Sequence, residues 1–163
     1  MPAVQDTPYA AVRVTARSTR PFDEVCANLE RLVGKADLET LRAGGTKQQI
    51  EESVARTVGP SGYVIFQVLE QGLLLASLGL RSLQARLYVI GNPLLAAQVT
   101  KDQPAAALYV PLRLFISVED GQTVVTYDRI SASLSQFGGA QIAEEGLMLD
   151  KKIAGLVDEI LGN

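Results

Sequence analysis

The run from Leu87 to Tyr127 constrains the fold more than any other part of the chain. A short apolar stretch, Leu87 to Ile90, ends in Gly91-Asn92-Pro93 and leads into a helical segment from Pro93 to Lys101. Gln103-Pro104 closes that helix and opens an Ala-rich connection. Leu112, Leu114, Ile116 and Val118 then alternate with Arg113, Phe115, Ser117 and Glu119, the period of a strand with one buried face. Both residues of Asp120-Gly121 tolerate positive φ, so the strand turns there and returns over Thr123 to Tyr127 as a hairpin. A hairpin following a strand-helix unit points to an antiparallel or mixed sheet and an α+β class.

The flanking segments supply the remaining elements. Val12, Val14 and Ala16 alternate with Arg13, Thr15 and Arg17, a first strand. Arg20-Pro21 opens a helix carrying Phe22, Val25, Cys26, Leu29, Leu32 and Val33 on one stripe, with Asp23 and Glu24 suited to its positive start. After Gly44-Gly45, Thr46 and Gln49 form a capping box. The helix it starts has a thin apolar edge of Ile50, Val54 and Val58 and ends at Gly59-Pro60, which places it on the rim. Gly62 to Leu69 is aromatic and β-branched, hence a strand. Gly72 to Leu83 is ambiguous, its leucines favouring a short buried helix over a strand. Ser131 to Gly139 reads as a polar loop with a helical turn. Leu149, Ile153, Leu156, Val157 and Ile160 mark a last amphipathic helix ending at Gly162, with Glu144-Glu145 in its first turn.

No repeat or linker divides the chain. The expectation is one domain over residues 1–163, with 1–8 a flexible N-terminus and 37–58 a helical insertion. The expected architecture is a two-layer sandwich: a mostly antiparallel sheet of about five strands with helices packed on one face. The other face must meet solvent, a ligand or another subunit.

Composition narrows the function. The chain has no histidine, so the usual general base and the commonest nitrogen metal ligand are missing. Ser-His-Asp and Cys-His catalysis, zinc hydrolysis and His-ligated haem are excluded within a single chain. A net charge of −3, with Lys151-Lys152 the only Lys-Lys pair and no longer basic run, argues against a nucleic-acid partner. One cysteine, Cys26, allows no intrachain disulfide and suits a reducing compartment; its place on the apolar stripe makes it a core residue rather than a reactive thiol. Gly72 to Leu80 is about half the length of a membrane span, and Met1 to Ala10 lacks the pattern of a secretory signal. A cytoplasmic, soluble protein is expected.

Four constellations carry candidate chemistry. Asn92-Pro93 is an efficient helix start; the same free amides beside Gly91 would hold an anion, though capping is the commoner use. Tyr127-Asp128-Arg129 ends the final strand, either orienting a polar ligand or forming a turn with a local Asp-Arg pair. Tyr63, Tyr88, Tyr109, Tyr127, Phe66 and Phe115 either line an apolar pocket or pack as ordinary sheet residues. Glu70, Asp120, Asp128, Glu144, Glu145 and Asp150 show no calcium-loop spacing, so no metal is expected. The usual nucleotide-binding loops are also absent, and no cofactor is expected.

Tyr88-Val89-Ile90-Gly91-Asn92-Pro93, Ala107-Leu108-Tyr109-Val110-Pro111-Leu112-Arg113 and the hairpin from Glu119-Asp120-Gly121 to Tyr127-Asp128 resemble the bacterial "domain of unknown function 302" family. The resemblance covers Arg13 to Leu161 and is clearest from Gly62 to Tyr127. It implies an α+β fold with helices against an antiparallel sheet, and dimers formed through sheet or helix faces. It implies no established activity. Its pattern includes a histidine after an acidic residue beyond the second strand; here Glu70-Gln71 stands instead, so any chemistry resting on that histidine is lost. The segment Asp37 to Val58 is longer than the pattern's usual link and would cap or block a pocket.

The first expectation is a non-enzymatic, dimeric domain that binds a small ligand or a partner through its sheet. Tyr88, Asn92, Arg113, Tyr127 and Asp128 are its candidate polar lining, with Arg113 for an anionic group. The alternatives are a structural homodimer whose open sheet face is filled by its twin, and an enzyme using Asp128 or Glu70 as base with Tyr127 as acid.

Overall fold

The computed structural model describes residues 3–162; Met1 and Pro2, the start of the expected flexible N-terminus, and Asn163 lie outside the described residues. The first part of the chain forms β1 (Arg13–Ser18), α1 (Phe22–Leu32), β2 (Gly34–Lys35), α2 (Leu38–Ala43) and α3 (Lys47–Thr57). The centre forms β3 (Val64–Leu69), α4 (Gln71–Ser77), β4 (Ala85–Gly91) and α5 (Pro93–Thr100). A 3-10 turn at Pro104–Leu108 precedes β5 (Leu112–Glu119), β6 (Gln122–Asp128) and α6 (Ile130–Leu134). A second 3-10 turn at Ser135–Phe137 leads to α7 (Ala140–Leu161).

One sheet holds the strands in the order β1-β6-β5-β4-β3-β2. Every neighbouring pair is antiparallel except β2 and β3. The α+β sandwich expected from the sequence is the fold observed, with six strands in place of about five. The extra strand is β2, which is two residues long and offers no alternation to detect. It exists because Gly34 lets the chain pass against residues 57–59: a Cβ there would stand 1.7 Å from the Thr57 carbonyl oxygen. The Gly34 and Ala36 amides then donate to the Tyr63 and Ile65 carbonyls at 2.9 and 3.0 Å.

Alternation sends Val14, Ala16, Tyr88, Ile90, Leu112, Leu114, Ile116, Val125 and Tyr127 to one face of the sheet. There they meet Phe22, Val25, Cys26 and Leu29 of α1 and Leu149, Ile153, Leu156 and Ile160 of α7. Cys26 is buried in this core. The opposite face carries Arg13, Arg17, Leu69, Leu87, Val89, Arg113, Phe115, Glu119, Thr126 and Asp128. The Asp120-Gly121 turn adopts positive φ at both residues, 50° and 76°, as its hairpin requires. Thr46 and Gln49 make the expected capping box of α3.

Three local expectations are corrected. The Leu-rich segment is helical as α4, but only Gly72 of it is buried; Leu73, Leu74, Leu78 and Leu80 are 54–70% exposed, because the segment closes β3 to β4 beyond the layer that α1 and α7 cover. The stretch Ser131 to Gly139 is not a loop but the body of α6 followed by a 3-10 turn. Asp150 accepts from the Ile130 and Ser131 amides and the Ser131 hydroxyl, a cap supplied from α7 that local sequence does not reveal. The last helix starts at Ala140, so Glu144-Glu145 falls in its second turn. Among the described residues no helix is long and apolar enough to cross a membrane.

Candidate functional site

The open face brings two of the candidate residues into one row. Arg13 of β1 stands opposite Asp128 of β6, with Nε 3.2 Å from Oδ1. Phe115 of β5 stands opposite Thr126 of β6, so Arg113 and Asp128, each two residues away, rise on the same face at the same end of the sheet. The row reads cation, anion, cation. Asp128 is answered by Arg13, whereas among the described residues Arg113 makes no ion pair.

Arg113 and Asp128 form the polar floor of a small, open cleft of about 80 Å³. Its walls are Tyr9, Ala11, Leu108, Tyr109, Pro111, Leu112, Ile130 and Ser133. Tyr9 meets Tyr109 edge to face, with ring centroids 5.6 Å apart, and Tyr109 in turn meets Phe137 at 6.1 Å. Such contacts fix ring planes. Hydrogen bonding with Tyr109 is the main cause that raises the Tyr9 phenol above its ordinary pKa, while the charge on Arg113 pulls it down. The cleft therefore offers a guanidinium with no ion-pair partner among the described residues, a paired carboxylate, two phenols and flanking apolar side chains.

The other three candidates lie elsewhere. Tyr88 is fully buried on the helix-covered face, and its hydroxyl donates to Glu30 Oε1 at 2.7 Å. Burial, then the Glu30 carboxylate, pushes its phenol pKa far up. Tyr127 is on that same covered face, since neighbours on a strand point opposite ways. Asn92 uses Oδ1 to accept from the Leu94 and Leu95 amides and Nδ2 to donate to the Gly62 carbonyl. The capping reading of Gly91-Asn92-Pro93 is thus the observed one, and the Asn92 side chain occupies the place an anion would take. Asn92 borders a separate apolar hollow with Tyr63, Phe66, Leu95 and Pro111. The hydroxyl of Tyr63 is buried and without a partner among the described residues.

The same geometry bears on acid-base chemistry. Asp128 and Tyr127 project from opposite faces of β6 and cannot act on one substrate. Glu70, at the end of β3, is held by Arg86 Nε at 2.9 Å. Asp128 pairs with Arg13 across the sheet, not with its neighbour Arg129. The six aromatic residues do not share a pocket: Tyr88 and Tyr127 enter the core, Phe115 faces out, and Tyr109 alone reaches the cleft. Its partner Tyr9 lies in a segment with no periodicity, and nothing in the sequence marks it. Among the described residues no three His, Cys, Asp or Glu side chains are grouped to hold a metal.

Comparison with known proteins agrees with this fold. The family model described as "Domain of unknown function DUF302" matches residues 39–160. The chain belongs to the DUF302 family. Among solved structures, that of an uncharacterized conserved DUF302 protein from Bacillus stearothermophilus is similar, with a TM-score of 0.67 and 17% identity, covering 91% of this chain and 97% of that one. At that identity the likeness speaks for the fold alone. No curated protein matches the chain. The DUF302 match spans the Gly91-Asn92-Pro93 cap, the β5-β6 hairpin and both strand residues of the cleft floor, while Tyr9 lies ahead of it.

Proposed function

We propose that this DUF302 chain is a non-enzymatic domain that binds a small ligand in the cleft floored by Arg113 and Asp128, and that it acts as a dimer. One observation carries the reading: among the described residues Arg113 stands without an ion-pair partner, in an amphipathic cleft walled by two tyrosines. A cation left open beside ordered aromatic rings favours a ligand over a purely solvated surface. Native mass spectrometry of the gently purified protein tests it. A reproducible added mass that disappears in an Arg113→Ala variant is the expected result; an adduct unaffected by that variant removes the cleft from consideration.

A second reading, a structural homodimer without a ligand, draws on a different observation. The α4 segment leaves Leu73, Leu74, Leu78 and Leu80 exposed, beside a sheet face carrying Leu69, Leu87 and Phe115. A clean dimer with no added mass supports this reading over the first.

A further inference from the structure

The charges around the cleft define which ligand would fit it, an inference that rests on the binding reading above. Arg13 and Asp128 satisfy each other at 3.2 Å. What remains is the guanidinium of Arg113, exposed on β5 and with no ion-pair partner among the described residues. A planar fork of donors of this kind is matched by a carboxylate, whose two oxygens accept parallel hydrogen bonds. The rest of the cleft is not built for a compact, strongly hydrated anion. Tyr9 and Tyr109 present ring edges and faces held at an interplanar angle of 79°, and Leu108 and Pro111 border them. Such a wall favours a flat apolar group. Asp128 stands opposite Arg113 in the sheet, so each further negative charge on a ligand adds repulsion and a monocarboxylate fits better than a dicarboxylate.

We propose that the cleft binds small aromatic monocarboxylates, with the carboxylate on Arg113 and the ring against the Tyr9–Tyr109 pair. The probes are benzoate, its neutral counterpart benzyl alcohol, and acetate, which carries the charge without the ring. Titrations followed by isothermal calorimetry and by backbone amide NMR shifts give affinity and location. Benzoate is expected to bind at about the millimolar level, as a fragment of this size does, and to shift amides around Tyr9, Tyr109 and Arg113. Arg113→Gln should weaken it by about ten- to hundredfold, the worth of hydrogen bonds to a charged group. Arg113→Lys should recover part of that loss by restoring charge without the fork. Arg113 lies outside the core, so circular dichroism of both variants should be unchanged.

The outcomes separate the ligand class from the site. Equal affinity for benzoate and benzyl alcohol, untouched by Arg113→Gln, overturns the carboxylate while leaving a binding cleft. Acetate binding as well as benzoate overturns the aromatic part. Shifts that map away from the cleft, or no binding of any probe, overturn this inference, while the cleft as a ligand site falls only if a native adduct also survives Arg113→Ala.

Discussion

Tyr63, Tyr88 and Tyr127 are all held un-ionised, and for each the largest cause is burial. Tyr63 is pushed up to about 12 from an ordinary value of 10.0, with Asp150 adding to the effect. A raised phenol pKa favours the protonated native state, so its contribution is whole below the unfolded value of 10.0 and is lost as pH rises towards about 12. Urea unfolding followed from neutral to strongly alkaline pH should show stability falling across that window. Tyr63→Phe should make the fall shallower by an amount on the order of 2 kcal/mol. At neutral pH the two substitutions should differ: Tyr63→Phe should cost little, since that hydroxyl has no partner among the described residues, whereas Tyr88→Phe removes a bond to Glu30 and should cost about 1–2 kcal/mol. A neutral-pH loss for Tyr63→Phe as large as for Tyr88→Phe would show that the Tyr63 hydroxyl is bonded after all. The same residues mark the limit of what the sequence made legible. Arg113 and Asp128 are visible from their strand positions, but which face each side chain takes depends on register, so the sequence does not separate them from Tyr88 and Tyr127, which turn into the core. Tyr9 sits in a segment with no period, and only the folded chain brings it to Tyr109.

Elements that declare themselves through local chemistry were legible, and those created by distant packing were not. Asn92 caps α5, Thr46 and Gln49 cap α3, and Asp120-Gly121 turns the hairpin, each from residues adjacent in the chain. In contrast β2 depends on Gly34 meeting residues 57–59, and α6 depends on Asp150 from α7; neither contact has a local signature. Both kinds of element make predictions. Asn92→Ala should destabilise the protein by about 1–2 kcal/mol through loss of the cap, and because Nδ2 also bonds the Gly62 carbonyl, Asn92→Asp should recover only part of that. Chemical denaturation of the three proteins checks this, and full recovery by Asp would remove the Gly62 bond from the account. Gly34→Ala places a methyl group against the Thr57 carbonyl, 1.7 Å away before any shift, and should cost about 3 kcal/mol or more by overpacking. Its amide hydrogen exchange should rise first at Gly34 and Ala36, the donors that join β2 to β3. Unchanged protection at these two amides would show that β2 survives the added methyl.

At the scale of the molecule, α1 and α7 cover one face of the sheet, and its ends carry very different surfaces. The end with Arg13, Asp128 and Arg113 is polar and lined by aromatic rings; the other end runs into α4 and its exposed leucines. Gln71 to Leu80 contains no charged residue, an unusual run for a surface bathed in water. Leu73, Leu74, Leu78 and Leu80 are each more than half exposed within the subunit, apolar surface that an assembly would cover. A twofold dimer would place this segment, or the adjoining strip of Leu69, Leu87 and Phe115, against its own copy. Leu73→Glu combined with Leu74→Glu should then convert a dimer into a monomer in sedimentation velocity at tens-of-micromolar concentration, roughly the range where modest interfaces are populated. The thermal unfolding midpoint of the dissociated subunit should lie close to that of the wild type under dilute conditions, because neither side chain is buried within it. A wild-type protein that sediments as a monomer at every concentration would sink the dimer. A dimer that withstands both glutamates would move its contact from α4 to the open sheet face, where Phe115→Glu would be the next substitution to break it.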